Sequence, residues 1–345
     1  MNNRLRKPAT LKEIAALAGV TSPTVSRVLR GSPETRVSQE TREKILRFAD
    51  EMNYRPNILA RSLKNQSTNV LNFFVPYIGS LVFPEIIRGA EKAAIEGNYS
   101  LFISHLDEDS LRNKRYLTLI QDRLIDGMIL AIAGEADNVI EELANANAPF
   151  MLVNRKVPFS QNYVTVDDTA GVRLGIRHLV ELGHTKIGYI SGRLNIETAA
   201  RRLQGYRDAL AEFDIAYDET LVEESSWAAF SDGKHSLLKL LARTRPTAIF
   251  ADNQTIAVGA MAGLQVSGLK IPQDISVIAL HDSPLAAIAV PPMTVVKMPL
   301  YEMGYMAVKA LIDMITGRDT IVPLVLPPVG LIVRNSTGRP TESIG

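Results

Sequence analysis

Residues 21–29 read Thr-Ser-Pro-Thr-Val-Ser-Arg-Val-Leu, and helical spacing sets Ser22, Thr24, Ser26 and Arg27 apart from the apolar positions Val25, Val28 and Leu29. A helix face with three hydroxyls and one guanidinium has donors and acceptors for phosphates and base edges, but no nucleophile held beside a base. Arg27 can pair with a guanine through two parallel hydrogen bonds. Pro23 offers no donor and can read only shape or a thymine methyl. Other chemistries leave little trace. With no cysteine, disulfides, thiolate metal sites and a cysteine nucleophile are all excluded, and the five histidines show no paired metal spacing. There is no phosphate-binding glycine fingerprint, zinc-helix motif or nucleophile elbow, so neither an enzyme activity nor a cofactor is expected.

The elements that would position this face can be read on either side of it. Thr10-Leu11-Lys12-Glu13 has the spacing of a capping box, which starts a helix at Leu11 with Leu11, Ile14, Ala15 and Ala18 on its apolar stripe. Gly19 then turns the chain, Val20 packs inward, and Thr21 or Ser22 caps a second helix whose first turn tolerates Pro23. A third helix fits Ser38 to Met52, capped by Ser38, with Glu40 in its first turn and Ile45, Leu46, Ala49 and Met52 inward. Two short helices around a glycine turn form a helix-turn-helix over residues 11–29, in which the second helix enters the major groove.

Charge supports a polyanionic partner for this segment alone. The whole chain of 345 residues carries a net charge of +1, yet residues 1–65 hold 13 Lys and Arg against 6 Asp and Glu, and the remainder is acidic. No apolar run is long enough to span a membrane and the first eight residues are polar and basic, so a cytosolic protein that makes no membrane contact is expected.

Beyond residue 69, apolar runs alternate with helical patterns. The runs are Val70–Val75, Leu101–Ile103, Gly127–Ile132, Phe150–Val153, Ile187–Ile190, Ala248–Phe250 and Ile275–Leu280. This β-α-β-α order implies parallel sheets covered on both faces, with ligands at the carboxyl ends of the strands.

Several of these segments, taken in order, resemble the lactose-repressor/galactose-repressor (LacI/GalR) family of transcriptional regulators. Thr10-Leu11-Lys12-Glu13-Ile14-Ala15, Ala18-Gly19-Val20 and Thr24-Val25-Ser26-Arg27-Val28-Leu29 are similar to its headpiece. Thr41-Arg42-Glu43-Lys44-Ile45, Asn53-Tyr54-Arg55-Pro56-Asn57 and Ala60-Arg61-Ser62-Leu63-Lys64 are similar to its third helix and hinge. Val180-Glu181-Leu182-Gly183-His184, Ile187-Gly188-Tyr189-Ile190 and Arg201-Arg202-Leu203-Gln204-Gly205-Tyr206 look like its sensing core.

The resemblance implies an all-α helix-turn-helix headpiece (1–55), a hinge (56–66) and an α/β periplasmic-binding-protein-like core (67–345) of two doubly wound parallel-sheet subdomains. One subdomain is expected from about 67–166 and 293–327, the other from about 167–292 and 328–345. Contacts to double-stranded operator DNA are implied for Thr10, Thr21, Ser22, Pro23, Thr24, Ser26 and Arg27 of the headpiece and for Asn57, Ala60, Leu63 and Lys64 of the hinge. The hinge, barely two turns after Pro56, is too short to be stable alone. In the family a hinge leucine wedges between base pairs in the minor groove, and the matching residue is Leu63.

The family's effector site falls on Phe83, Asn154, Thr198, Arg202, Trp227, Asn253 and His281, a set suited to a hydroxylated ligand such as a sugar. His281 and Gln254 stand where the family usually has acids, which together with Arg202 points to a sugar acid or sugar phosphate. A homodimer on a pseudo-palindrome is implied, repression is the more frequent mode in the family, and a tetramer stays open although no long heptad segment follows Arg334 to argue for a tetramerising helix. A bare solute-binding protein would account for residues 69–345 equally well, but not for the first 65.

Overall fold

The computed structural model describes residues 9–29, 37–54, 67–106, 114–131, 137–226 and 229–341, in two compact units, Met1–Thr68 and Asn69–Gly345.

The first unit contains α1 (Leu11–Ala18), α2 (Ser22–Leu29) and α3 (Gln39–Glu51). Thr10 and Glu13 form the expected capping box: the Glu13 N–H donates to Thr10 Oγ1 at 3.3 Å, and the Thr10 N–H donates to Glu13 Oε2 at 2.7 Å. Gly19 ends α1 at φ +68°, a conformation that costs glycine nothing. Thr21 lies ahead of α2 with its hydroxyl 2.9 Å from that of Thr24, while Ser38 caps α3 by accepting from the Thr41 N–H at 3.2 Å. Ile14, Ala15, Ala18, Val25, Val28, Ile45 and Ala49 are buried together. Leu46 departs from the expectation, since it is 48 % exposed. The inward stripe of α3 runs through Ile45, Phe48, Ala49 and Met52, and the residue after Ile45 is rotated about 100° off it.

The second unit holds two six-stranded sheets. Its strands are β1 (Val70–Val75), β2 (Ser100–His105), β3 (Gly127–Leu130), β4 (Phe150–Val153), β5 (Tyr163–Val166), β6 (Ile187–Ser191), β7 (Val222–Glu224), β8 (Ala248–Ala251), β9 (Ser276–Leu280), β10 (Thr294–Lys297), β11 (Leu324–Leu326) and β12 (Gly330–Ile332). The first sheet has the order β11-β5-β4-β3-β1-β2 and the second β12-β10-β9-β8-β6-β7. All pairings are parallel except β10 with β12. The central strands β3, β4, β6, β8 and β9 are buried along their whole length, as strands covered by helices on both faces must be.

The crossings between the sheets correct one expected boundary. Residues 293–327 do not all return to the first subdomain, because β10 pairs with β9 inside the second sheet, with Val295 opposite Ala279. The chain crosses back only afterwards, when helix Leu300–Ile315 packs against helix Phe83–Glu96 and on β3, β4 and β5. β11 then pairs with β5, and β12 recrosses to β10. The two helices approach closely through Gly89 and Gly304: a Cβ on either would lie 1.9 Å from a backbone oxygen of the other helix. Among the described residues no helix is long and apolar enough to cross a membrane, and no group of three His, Cys, Asp or Glu side chains could hold a metal ion.

Candidate effector cleft and DNA-reading helix

Strand ends build the cleft of the second unit. Beyond β1 lies Pro76, beyond β3 Ala131, beyond β4 Asn154 and Arg155, beyond β6 Gly192 and Arg193, and beyond β8 Asp252 and Asn253. All of these line one cavity of about 90 Å³ at the carboxyl ends of both sheets, where doubly wound folds bind ligands. Phe83, Thr198 and Ala199 complete its wall from the first turns of helices Phe83–Glu96 and Glu197–Glu212, and Thr255 from the first turn of Gln254–Val266.

Five of the seven residues expected at an effector site therefore share this cavity: Phe83, Asn154, Thr198, Arg202 and Asn253. Thr198 Oγ1 donates to the Asn154 carbonyl at 2.8 Å, which ties the first turn of a second-sheet helix to the end of a first-sheet strand. Asn253 caps its own helix by accepting from the Ile256 N–H at 3.0 Å. Trp227 lies outside the described residues.

His281 is not among the residues lining the cavity; it lies behind Arg202, 2 % exposed and at φ +71°. Arg202 Nη2 stands 3.1 Å from His281 Nε2. A guanidinium only donates, so Nε2 accepts and the ring proton sits on Nδ1, which is buried with no hydrogen-bond partner among the described residues. Burial first, and then the Arg202 charge, push the His281 pKa down to about 3, so the ring is neutral. The His281 carbonyl accepts from Gln254 Nε2 at 2.8 Å, and Ser283 Oγ donates to Gln254 Oε1.

Arg202 is held by acids that the sequence reading did not connect to it. Its Nε donates to Asp168 Oδ1 at 2.6 Å, and its Nη1 donates to the Asp252 carbonyl at 3.1 Å and to Asp252 Oδ2 at 3.2 Å. Arg201 Nη2 reaches the other Asp168 oxygen at 2.5 Å, and Tyr189 donates its hydroxyl to Asp252 Oδ1 at 2.8 Å. Asp168 is fully buried; burial would raise its pKa, but Arg202 and Arg201 outweigh this and hold it below the usual carboxylate range. At Asp252 burial prevails over Arg202 and the pKa is raised. All three Arg202 nitrogens are thus engaged within the protein. Asp252, Arg155 and Arg193 were legible only through the strand-end rule, because each directly follows a strand or the residue after it.

In the first unit the expected DNA-reading side chains lie on or beside α2, except Thr10, which caps α1. Thr10, Thr21, Pro23 and Arg27 are exposed, while Ser22, Thr24 and Ser26 are half-buried. Asn57, Ala60, Leu63 and Lys64 lie outside the described residues.

Together the two units define a helix-turn-helix DNA-binding module joined to a periplasmic-binding-protein-like core. Residues 10–57 match the description "Bacterial regulatory proteins, lacI family", and residues 176–337 match "Periplasmic binding protein-like domain". The chain is 35 % identical over 323 residues to the ribose operon repressor of Haemophilus influenzae, covering 93 % of this chain and 96 % of that protein. It is similar to a solved transcriptional regulator CelR–cellobiose complex at 31 % identity and a TM-score of 0.73, over 95 % of this chain and 99 % of the other. It is also similar to the lac repressor dimer bound to operator and the anti-inducer ONPF, at 27 % identity and a TM-score of 0.86, over 96 % of this chain and all of the other. The chain belongs to the LacI family of bacterial regulatory proteins. It is a DNA-binding transcriptional regulator under allosteric control by a small effector, and not an enzyme.

Proposed function

We propose that the protein represses transcription as a homodimer on a pseudo-palindromic operator and that a sugar or sugar derivative in the cleft controls its grip. The observation that carries the effector half is the shared cavity of Phe83, Asn154, Thr198, Arg202 and Asn253 at the carboxyl ends of both sheets. Its mix of apolar wall and amide, hydroxyl and guanidinium groups suits a hydroxylated ring. A relative solved with cellobiose and another named for a ribose operon support the same reading.

For the DNA half, α2 carries the reading. Ser22, Pro23, Thr24, Ser26 and Arg27 meet bases and phosphates, Thr10 and Thr21 meet the backbone, and the hinge residues Asn57, Ala60, Leu63 and Lys64 act in the minor groove. Each helix-turn-helix spans one half-site, so two chains are needed for a palindrome. Operator selection from random duplexes with the full chain tests this proposal. A two-fold symmetric consensus is expected, and Arg27→Ala should relax one base position in each half-site by about 1–3 kcal/mol. An asymmetric site would remove the dimer reading, and a uniform loss across all sequences would make Arg27 a phosphate contact.

A further inference from the structure

Three guanidiniums line the cleft, Arg155, Arg193 and Arg202, against a single carboxylate among the lining residues, Asp252. Arg202 is matched by Asp168 behind it and by Asp252 beside it. Both oxygens of Asp252 are engaged, one by Arg202 and one by the Tyr189 hydroxyl, so this acid does not face the cavity as a free charge. The expectation that Arg202 and His281 would hold an anion therefore finds no support, since one is neutralised and the other is neutral and behind the wall.

Arg193 is different. It follows β6 by two residues, is exposed, and lines the cavity, yet among the described residues its guanidinium has no carboxylate and no hydrogen-bond acceptor. The other arginines near the cleft are engaged: Arg155, which is 7 % exposed, has partners within the protein, Arg201 sits on Asp168 and Glu197, Arg202 on Asp168 and Asp252, and Arg207 over the Tyr217 ring. Two further observations concern the same wall. Helices Phe83–Glu96 and Glu197–Glu212 both begin at the cavity without a side-chain cap, and each carries an acid in its first turn, Glu85 and Glu197. Asn154 Oδ1, by contrast, is a buried acceptor on that wall with no hydrogen-bond partner among the described residues.

We propose that the cleft selects an anionic carbohydrate, a sugar bearing a carboxylate or a phosphate, with Arg193 reading the anion and Asn154 accepting from one of the hydroxyls. The inference rests on the reading of this cavity as the effector site. A guanidinium fork matches either anion through two parallel charge-assisted hydrogen bonds. A buried acceptor without a donor is costly, and a sugar hydroxyl supplies one.

The test uses the full chain in thermal-shift screening followed by titration calorimetry. The probes are three matched sets: neutral aldoses, their uronic and aldonic acids, and their phosphate esters. Binding confined to one of the two anionic sets is expected, and the set that binds distinguishes carboxylate from phosphate. Affinity for that ligand should fall as salt rises, and Arg193→Gln should lower it by about tenfold or more and flatten the salt dependence, while Arg193→Lys keeps that dependence. A neutral aldose that binds more tightly than its acid and ester overturns the proposal, as does an anionic ligand whose affinity is unchanged in Arg193→Gln. In either case loss of that ligand in Thr198→Val shows that the cavity is still the effector site. Binding by no member of any set removes the sugar-effector reading itself and this proposal with it.

Discussion

At the scale of single residues, the centre of the core is a buried charge cluster whose members depend on one another. Arg202 pairs with both Asp168 and Asp252, all three almost fully buried, and deleting it leaves Asp252 with no guanidinium partner. Arg202→Ala is expected to lower stability by roughly 3–5 kcal/mol, read as a shifted midpoint in urea unfolding. A midpoint within error of the parent's would mean that the cluster is not structural. His281 gives a second expectation with a definite sign. Its folded pKa of about 3 lies below its ordinary value of 6.5, so between those limits the unfolded chain binds the extra proton and stability falls as pH drops. His178 and His184, also lowered by burial, act in the same direction. Asp168, with its lowered pKa, adds a loss only below the usual carboxylate range. His281→Gln, which keeps an acceptor for Arg202, should therefore flatten the stability profile between about pH 6.5 and 4 without abolishing its slope. Unfolding curves at several pH values check this, and an unchanged slope would refute it. These contacts were hidden in the sequence because Asp168, Arg202, Asp252 and His281 are far apart along the chain and meet only once β8 and β9 pair in the second sheet and helices Asp168–Glu181 and Glu197–Glu212 pack together beside them. The residues flanking strand ends were accessible to reasoning; which of them pair with each other was not.

At the scale of elements, short-range signals were legible where local chemistry dictates conformation. The Thr10–Glu13 capping box, the left-handed Gly19 and the Ser38 cap all follow from side chains that satisfy nearby backbone groups. Buried strands such as β3, β4 and β8 stood out as apolar runs. Strands β5, β7, β10, β11 and β12 did not; β7, β11 and β12 have three residues each, none of them buried, so they leave no apolar run. Their place is decided by long-range pairing rather than by local pattern, which is also why the expected boundary at residue 293 was set one strand too early. The close approach of helices Phe83–Glu96 and Leu300–Ile315 is another feature that no periodicity reveals. Gly304→Ala would place a methyl 1.9 Å from the Ile86 carbonyl oxygen, and backbone cannot yield as a side-chain tip can. A loss of about 1–3 kcal/mol is expected in urea unfolding, from helices forced apart over a well-packed interface. Gly317→Ala is the contrasting control: it sits in the left-handed region with open space around it, so its cost is conformational alone.

At the scale of the whole molecule, the charge asymmetry assigns the two partners to separate units. The first 65 residues carry the excess of Lys and Arg, and the acidic remainder contains the cleft, so DNA affinity should be strongly salt-dependent through the first unit alone. A regulator that joins two such sites must obey reciprocity: whatever factor the effector applies to operator affinity, the operator applies to effector affinity. Leu63→Ala separates binding from coupling. If Leu63 is the minor-groove wedge that the family resemblance implies, its loss weakens operator binding, because the unstacking that lets the DNA bend is no longer supported. Effector affinity of the free protein should stay the same, since no residue of the cleft belongs to that segment. Fluorescence anisotropy on labelled operator and calorimetry with and without operator measure all four sides of the cycle. The expected result is a lower operator affinity, an unaltered effector affinity in the absence of DNA, and equal coupling factors along both routes. An operator affinity equal to the parent's would refute the wedge, and a shifted effector affinity in the free protein would show that the segment acts on the cleft before any DNA is bound.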